Sequence, residues 1–282
     1  MSDLEFDYVV CGAGSAGCTV AERLSRDPGV SVLVLEAGGS DNSPIIRTPM
    51  LLQYAVTGEQ FNWGYWTEPQ KHLNDRKLLW PRGKTLGGSS SINAMHYMRG
   101  AKENYDEWEQ VYGAKGWGWK NALPAFREVQ HQTRGESELH GTGGPLWVSD
   151  IAPLNPLTED FLKAADQLQY KRNADFNGPA QEGFGPYQVT QKNGKRCSAA
   201  DAFLRPALER ENCSVRTGAM VRRVVLENGR ATGVEVDLDG ETTVITARKE
   251  VILSGGAINS PQTLLFSGIG PANELREAGV SV

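Results

Sequence analysis

A glycine-rich turn near the amino terminus, Gly12-Ala13-Gly14-Ser15-Ala16-Gly17, restricts the possible folds more than any other part of the sequence. It follows an apolar run, residues 6–10, of the kind that forms a buried parallel strand. Helix-forming residues follow at 15–25, and a second run rich in β-branched residues covers 30–38. Strand, turn, helix and strand make a βαβ unit of about 30 residues, which predicts an α/β fold with a Rossmann-like parallel sheet.

The spacing of these glycines matches the G-x-G-x-x-G pattern of dinucleotide-binding turns. Gly12 makes the tight turn, Gly14 lets a pyrophosphate approach the backbone, and Gly17 lets the helix pack closely against the strand. The amino end of the helix then faces the phosphates. Glu36, 19 residues beyond Gly17, can accept hydrogen bonds from a ribose. The pattern predicts a dinucleotide cofactor but does not distinguish FAD from NAD.

The composition is that of an ordinary globular protein, and 282 residues suffice for one large domain or two smaller ones. The net charge of −5 argues against a nucleic-acid-binding surface. The four cysteines lack the spacing of metal ligands or of a disulfide framework, so no metal site is predicted. An acidic start and the absence of a long apolar run predict a cytoplasmic protein, and they leave peripheral attachment to the inner face of a membrane open.

The carboxyl-terminal part is predicted to be rich in short strands. Two hairpin signals, Asn228-Gly229 and Asp239-Gly240, lie between apolar runs. The predicted strands are 213–217, 220–227, 231–238, 242–247 and 250–253. Residues 146–191 have the irregular character of an insertion, whereas the regular α/β pattern lies at the two ends of the chain.

A second glycine- and serine-rich loop, "RGKTLGGSSSINAM", covers residues 82–95. Gly87 and Gly88 remove side chains where another group must pass closely. The serines that follow can cap a helix that begins near Ser90, and Arg82 and Lys84 supply positive charge near a phosphate. A nicotinamide cofactor binds and leaves, and usually needs only the first loop. A second loop is typical of a cofactor held along its whole length, although a surface turn with a capped helix also fits the pattern.

Three motifs in one order resemble the glucose–methanol–choline (GMC) family of flavin oxidoreductases. The first is the opening "DYVVCGAGSAGCTVAERLS" with "VLVLEAG". The second is "RGKTLGGSSSINAM", and the third is "GGAINSPQTLLFSGIG" at residues 255–270. The segments "NWGYWTEPQ", "YMRG" and "YDEW" make the chain similar to bacterial dehydrogenases of aliphatic alcohols, with choline dehydrogenase a near neighbour.

This resemblance implies non-covalently bound FAD, extended over the βαβ unit. Ser15 and Ala16 would meet the pyrophosphate, and the backbone of Val221 would hold the adenine. Some members of the family bond their flavin to a histidine, and Ile92 stands where that histidine is expected. The residues expected to hold FAD are Gly12, Gly14, Ser15, Ala16, Gly17, Glu36, Ala37, Arg82, Gly87, Gly88, Ser90, Asn93, Ala94, Met95, Val221 and Ala257.

The resemblance also implies how the chain is divided. Residues 1–150 and 198–282 would form a discontinuous FAD-binding domain, and residues 151–197 would be part of an α+β substrate-binding or cap domain. Trp63, Trp66, Phe184 and Tyr187 would line an apolar entrance for substrate, or serve as core aromatics. Members of the family are much longer than this chain, and their general base is expected in a carboxyl-terminal half that these 282 residues do not contain.

No residue of the chain is therefore predicted to be catalytic. The four histidines, His72, His96, His131 and His140, are assigned surface or structural roles. The expected activity is oxidation of a primary alcohol to an aldehyde by hydride transfer to flavin N5, with electrons passed to a quinone or another acceptor. The alternatives are an oxidase that uses oxygen, a non-catalytic FAD-binding fragment, and a NAD-dependent dehydrogenase that uses only the first loop.

Overall fold

The computed structural model of the chain describes residues 4–282. Its strands are β1 (Glu5–Cys11), β2 (Val32–Glu36), β3 (Tyr65–Trp66), β4 (Leu79–Trp80), β5 (Gln130–Gln132), β6 (Leu146–Val148), β7 (Gln191–Lys192), β8 (Lys195–Arg196), β9 (Cys213–Thr217), β10 (Met220–Glu227), β11 (Arg230–Leu238) and β12 (Glu241–Leu253). Its α-helices are α1 (Ser15–Leu24), α2 (Pro44–Arg47), α3 (Leu52–Thr57), α4 (Lys102–Gln110), α5 (Trp119–Val129), α6 (Pro156–Gln167), α7 (Arg205–Leu208), α8 (Gly256–Phe266) and α9 (Ala272–Glu277).

The chain divides into two compact units. The first consists of Met1–Asn93 and Ser198–Val282, and the second is Ala94–Cys197. The second unit thus begins earlier than residue 151, because β5 pairs with β6 and Ser149 pairs with Val189 inside it. The assignment of residues 1–150 and 198–282 to one cofactor-binding domain stays a prediction.

The first unit is built on a six-stranded sheet in the order β10-β11-β12-β1-β2-β9. β12, β1, β2 and β9 are parallel neighbours, and β10, β11 and β12 form an antiparallel meander. The two hairpin signals were read correctly, since Asn228 and Asp239 both have positive φ angles, 52° and 54°. The predicted Rossmann-like parallel sheet with a β-meander is confirmed.

β12 corrects one detail of the prediction. Residues 242–247 and 250–253 were expected to form two strands, but they belong to one strand of 13 residues. Arg248, which lies between the two predicted strands, stays in the strand, and its guanidinium donates to Asp7 on the neighbouring β1, with Nη2 3.0 Å from Oδ2. β12 therefore joins the antiparallel part of the sheet to the parallel part, because it pairs antiparallel with β11 and parallel with β1.

The core of the first unit lies along the central parallel strands. All five residues of β2 are buried, as expected for a strand covered on both faces. Val9 of β1, Val234 of β11 and Ile245 of β12 are almost completely inaccessible to solvent and pack in one cluster. α1 turns Gly17, Cys18 and Ala21 inward, and all four cysteines of the chain are buried.

The second unit is a small α+β assembly that contains α4, α5 and α6. β5 and β6 pair in parallel, and β7 and β8 form a short antiparallel pair. Arg99 is buried at its centre, where its Nη1 donates to the carbonyl of Leu139 at 2.5 Å and its Nη2 donates to the amide oxygen of Gln130. This unit has the α+β character expected of the insertion.

The serine run of the second glycine loop does not begin a long helix, so that prediction was wrong. Residues Gly88–Ser91 form a single 3₁₀ turn, and the next helix in the described chain is α4. The hydroxyl of Ser90 donates to the carbonyl of Gly87 and that of Ser91 donates to the carbonyl of Leu86, each at 2.6 Å. Serine hydroxyls that bond to nearby backbone in this way compete with helix formation.

Candidate functional site

The first glycine loop connects β1 to α1 at the carboxyl edge of the parallel sheet. Gly12 has a φ angle of +107°, which few other residues adopt. A Cβ atom on Gly17 would lie 1.9 Å from the carbonyl oxygen of Gly12, so only glycine lets α1 start this close to the turn. Gly14 is less crowded, because an added Cβ would lie at an ordinary contact distance, 3.8 Å, from the carbonyl oxygen of Ser254. Gly14 lines the cavity described below, where a ligand can approach its backbone.

The amino end of α1 is available to an anion. Its N-cap residue is Gly14, no side chain caps the first turn, and the first turn carries no acidic residue. The first backbone N–H groups of a helix have no partner within the helix, and together with the helix dipole they attract negative charge. This arrangement is the usual one for binding a phosphate or pyrophosphate.

The second glycine loop lies directly on the first. The backbone N–H of Gly87 donates to the carbonyl of Ala13 at 2.7 Å. An added Cβ on Gly88 would come within 2.8 Å of the Cα of Gly14, so the backbones touch where a side chain would separate them. The two loops form one structure, although about 70 residues separate them along the chain.

Glu36 ties the end of β2 to this structure. Its Oε2 accepts a hydrogen bond from the backbone N–H of Ala13, and its Oε1 accepts one from that of Gly38, each at 2.9 Å. Burial raises the pKa of the Glu36 carboxyl above its usual value, and these N–H groups and the charge of Lys84 oppose the rise. Each carboxylate oxygen keeps a free lone pair, so Glu36 can still accept from a ligand hydroxyl.

A cavity of about 900 Å³ opens above the joined loops. This volume is at the upper end of the range of small-molecule and cofactor sites. It lies entirely within the first unit, at the carboxyl ends of β12, β1 and β2, which is where open α/β sheets bind their ligands.

Ten of the residues predicted to hold FAD line this cavity. They are Gly12, Gly14, Ser15, Ala16, Glu36, Ala37, Arg82, Gly88, Val221 and Ala257. Gly17, Gly87 and Ser90 belong to the same loops but do not line the cavity. The Ser90 hydroxyl accepts a hydrogen bond from the backbone N–H of Ala199. The assignment of FAD contacts to individual residues stays a prediction.

The last three predicted residues divide between the units. Asn93 ends the first segment of the first unit, whereas Ala94 and Met95 begin the second. Met95 is buried, has a φ angle of +62°, and its carbonyl accepts a hydrogen bond from the N–H of Thr190. Their predicted contact with FAD is untested.

Several residues of the cavity wall were not singled out from the sequence. Ser254 follows β12, and its hydroxyl donates to the carbonyl of Gly12 at 2.8 Å, which fixes the turn. Asn259 of α8 lines the cavity together with Trp63 and Tyr65. The one signal in the sequence that could have indicated Asn259 is its position in the third motif, within "GGAINSPQ". Arg222, Arg223, Glu235 and Asp237 also line the cavity and form ion pairs between β10 and β11.

The histidines lie away from this wall or have other partners. His72 is an exposed residue of the first unit and does not line the cavity. In the second unit, His140 is buried with its Nε2 2.7 Å from Oδ2 of Asp175, and the rings of His131 and His96 stack on Trp147 and Tyr187.

No group of three or more metal-ligating side chains lies together among residues 4–282. No helix there has the length and apolar character needed to cross a bilayer.

The sequence matches the family model described as GMC oxidoreductase over residues 6–280, almost its whole length. The chain belongs to the GMC oxidoreductase family. Among curated relatives, an oxygen-dependent choline dehydrogenase of Rhizobium etli is 47% identical over 279 residues, which is 99% of this chain and 50% of the relative. An alcohol dehydrogenase (acceptor) of Pseudomonas putida is 48% identical over 280 residues, which is 98% of this chain and 50% of the relative. The chain spans about half the length of the relatives it matches.

Solved structures of GMC oxidoreductases have the same fold. Pyridoxine 4-oxidase from Mesorbium loti superimposes with a TM-score of 0.93 at 36% identity, over 98% of this chain and 54% of that protein. An Aspergillus oryzae formate oxidase, from a study of FAD modification, superimposes with a TM-score of 0.90 at 30% identity. The match covers 100% of this chain and 51% of that protein. Family membership and these neighbours support FAD as the cofactor of this GMC oxidoreductase.

The site fits FAD on its own geometry. An uncapped helix terminus beside the open face of Gly14 suits the pyrophosphate, and the carboxylate of Glu36 with its free lone pairs suits a ribose. Ile92, expected in place of a flavin-bonded histidine, is only 2% exposed and packs in an apolar cluster with Ile46, Ala55 and Phe61. Non-covalent binding therefore stays the prediction.

Proposed function

We propose that this GMC oxidoreductase oxidises a primary alcohol to an aldehyde with non-covalently bound FAD and passes the electrons to an acceptor such as a quinone. The observation that carries the proposal is the junction of the two glycine loops beneath one cavity, with Gly87 bonded to Ala13 and Gly88 against Gly14. FAD, when bound, supplies the hydride acceptor. The relatives' names support the substrate class, since one oxidises an alcohol and another is named for choline.

The chain's own residues bind and orient the cofactor. The N–H groups at the start of α1 would donate to the oxygens of the pyrophosphate, and Glu36, which holds the first loop in place, would accept from a ribose hydroxyl. Arg82 lines the same cavity and adds positive charge there.

Alcohol oxidation also requires a base that takes the hydroxyl proton. In residues 4–282 the cavity wall contains no histidine. We therefore propose that these residues bind the cofactor. The group that takes the proton is expected elsewhere in the complete enzyme. The cytoplasmic location and a peripheral membrane association remain predictions.

The first test is the visible absorption spectrum of the purified, desalted 282-residue protein, before and after acid precipitation. A yellow protein whose colour passes into the acid supernatant supports non-covalent FAD. If the protein is colourless, titration with FAD while its fluorescence is monitored decides whether it can bind. A protein that does not bind FAD even in excess contradicts the proposal.

Gly14→Val is the informative variant for this test. Gly14 has φ −76° and ψ −168°, which valine adopts, and an added Cβ there would make only an ordinary contact, so the valine side chain would occupy part of the cavity that Gly14 lines. We expect an unchanged melting temperature of the cofactor-free protein and a loss of FAD binding. Substrate choice is tested in the complete enzyme, by anaerobic bleaching of its bound flavin with short primary alcohols and, in parallel, with choline.

A further inference from the structure

The first unit contains another cavity, of about 410 Å³, apart from the cofactor cavity. Its wall consists of the loop that follows β2, Arg47 of α2, Leu86 of the second glycine loop, and the segment that leads into α7. Among the described residues, none lines both cavities. The volume is within the range of small-molecule sites, and the proposed oxidation assigns this cavity no role.

Arg47 brings a positive charge to this cavity. Its one ion-pair neighbour among residues 4–282 is Asp201, with Nη1 of Arg47 3.5 Å from Oδ1, and the guanidinium donates no hydrogen bond to the described residues. The Arg47 side chain is 32% exposed, so it is held largely within the wall. A guanidinium whose N–H donors are all available is suited to a carboxylate, which it binds through two parallel hydrogen bonds.

Asp41 supplies a negative charge to the same cavity. It is only 1% exposed, and its Oδ1 accepts a hydrogen bond from Nη2 of Arg205 at 2.6 Å. No other hydrogen bond reaches this carboxylate among the described residues, so its Oδ2 can accept one from a ligand. Arg205 also donates to Asp201, the neighbour of Arg47. Two guanidiniums and two carboxylates therefore form one group of side chains with no net charge.

The charge of this group restricts the ligand. A simple carboxylate or a simple amine would leave one charge uncompensated beside the buried Asp41, whereas a zwitterion would leave the group neutral. Leu86, Leu204 and Leu208 supply apolar surface in the same wall. A fitting molecule thus has a carboxylate, a nearby cationic N–H donor and a short apolar chain.

We propose that this cavity binds an α-amino acid with an aliphatic side chain. The carboxylate accepts from the guanidinium of Arg47, the ammonium donates to Oδ2 of Asp41, and the aliphatic side chain packs against the leucines.

The test is a calorimetric titration of the 282-residue protein, without FAD, with L-leucine. We expect one saturable site with a dissociation constant of about 1 mM or below. Two analogues examine the charges, since 4-methylpentanoate lacks the ammonium and 3-methylbutylamine lacks the carboxylate. Each should bind about tenfold more weakly than leucine, or worse. A third, 2-hydroxy-4-methylpentanoate, keeps a donor without its charge, and binding equal to that of leucine would contradict an amino-acid site.

Arg47→Met is the informative variant. It should weaken leucine binding about tenfold or more, because the carboxylate loses its charged donor. The melting temperature should hardly change, since Arg47 donates no hydrogen bond to the described residues. Arg216→Met is the matched control, at an exposed position of the same unit outside both cavities. It should leave both quantities unchanged.

Asp41→Asn separates the two charges of the ligand. The amide keeps an oxygen for Arg205 and removes the negative charge that the ammonium requires. It should weaken leucine binding about tenfold and leave the binding of 4-methylpentanoate no weaker. Circular dichroism shows whether each variant is folded. Equal losses for leucine and 4-methylpentanoate in the folded variant would overturn the role of Asp41.

The inference fails if leucine gives no saturable heat up to about 20 mM, or if folded Arg47→Met binds it as tightly as the parent. Gly14→Val, which fills part of the cofactor cavity, should leave leucine binding unchanged. A loss of leucine binding in that variant would place the amino acid in the cofactor cavity and overturn the inference. Because FAD is absent from these titrations, a failure of the proposed function does not alter their result.

Discussion

The backbone N–H of Gly87 donates to the carbonyl of Ala13 at 2.7 Å, and this bond joins two glycine loops that are far apart in sequence. Beside it, Gly88 rests on Gly14 with no side chain between them. The second loop therefore acts as the second wall of the site that the first loop begins. A ligand that approaches Gly14 meets both loops at once.

The contact between the loops should depend on the absence of a side chain at Gly88. Gly88→Ala would place a Cβ 2.8 Å from the Cα of Gly14, at a φ angle of +53° that alanine disfavours. We expect a loss of about 2 kcal/mol in the free energy of unfolding, and a loss of tenfold or more in FAD affinity. Urea unfolding and FAD titration measure the two effects.

Gly229→Ala is the matched control for this variant. Gly229 also has a positive φ angle, +76°, but an added Cβ there would meet no atom within 4 Å. Gly229→Ala should lower the free energy of unfolding by about 1 kcal/mol, because only the unfavourable backbone conformation contributes. It should leave the affinity for FAD unchanged. Equal FAD affinity in the two variants would contradict the role given to the loop contact.

Glu36→Gln tests the tie between β2 and the first loop. The glutamate receives one backbone N–H on each oxygen, whereas a glutamine amide has a single oxygen and would turn its NH₂ toward the other N–H. Because that buried N–H loses its acceptor, unfolding should become easier by about 1–3 kcal/mol. The free energy of unfolding in urea, measured without cofactor, isolates this effect from ligand binding.

Glu235→Gln provides the comparison, since Glu235 lines the same cavity but pairs with Arg223 near the surface. An ion pair of this kind contributes under about 1 kcal/mol. If the two glutamine variants had equal stability, the hydrogen bonds of Glu36 would not have the structural importance assigned to them.

The sequence was sufficient to predict the parts of the site that depend on local geometry. The turn at Gly12, the position of Glu36 and the hairpins at Asn228 and Asp239 all follow from residues close together in the chain, and the structure has each of them. The length of β12 was misjudged because its second part pairs with β1, which is distant in sequence. For the same reason the hydrogen bond between Tyr65 and Asn259, both in the wall of the cofactor cavity, could not be foreseen.

Asp7 should make stability depend on pH. The guanidinium of Arg248, and then the backbone N–H of Ser31, lower the pKa of Asp7 from 3.8 to about 2. A lowered pKa means that the folded state holds the proton more weakly than the unfolded state, so the stabilisation is complete above about pH 4 and is lost as the pH falls toward 2. Asp7→Asn should therefore be less stable by about 1–2 kcal/mol at pH 7, discounted for the partial exposure of Arg248.

The measurement is a series of urea unfolding curves for the parent and Asp7→Asn between pH 7 and pH 3. The difference between the two proteins should shrink as the pH falls below about 4. Arg248→Gln should behave similarly, and adding it to Asp7→Asn should have little further effect. A difference that stays constant over the whole series would show that the carboxylate charge is not its cause.

Arg99 should be the most sensitive charged residue of the second unit. Its side chain is buried, its three nitrogens donate to Leu139, Gln130 and Tyr97, and its Cζ lies 5.3 Å from the centroid of the Phe126 ring. Lysine keeps the charge but cannot direct planar N–H groups to several acceptors at once. Arg99→Lys should therefore reduce the free energy of unfolding by about 2–4 kcal/mol, because buried acceptors lose their donors.

Arg172→Lys is the appropriate control, because Arg172 in the same unit makes a two-point contact with Asp166 at the exposed surface. It should leave the free energy of unfolding nearly unchanged, because an ion pair at the exposed surface is screened by solvent. Urea unfolding followed by tryptophan fluorescence compares the two variants directly. Because the difference between them arises from burial and hydrogen-bond geometry rather than charge, raising the salt concentration should leave the cost of Arg99→Lys nearly unchanged. A strong dependence of that cost on salt would instead assign the role of Arg99 to long-range electrostatics.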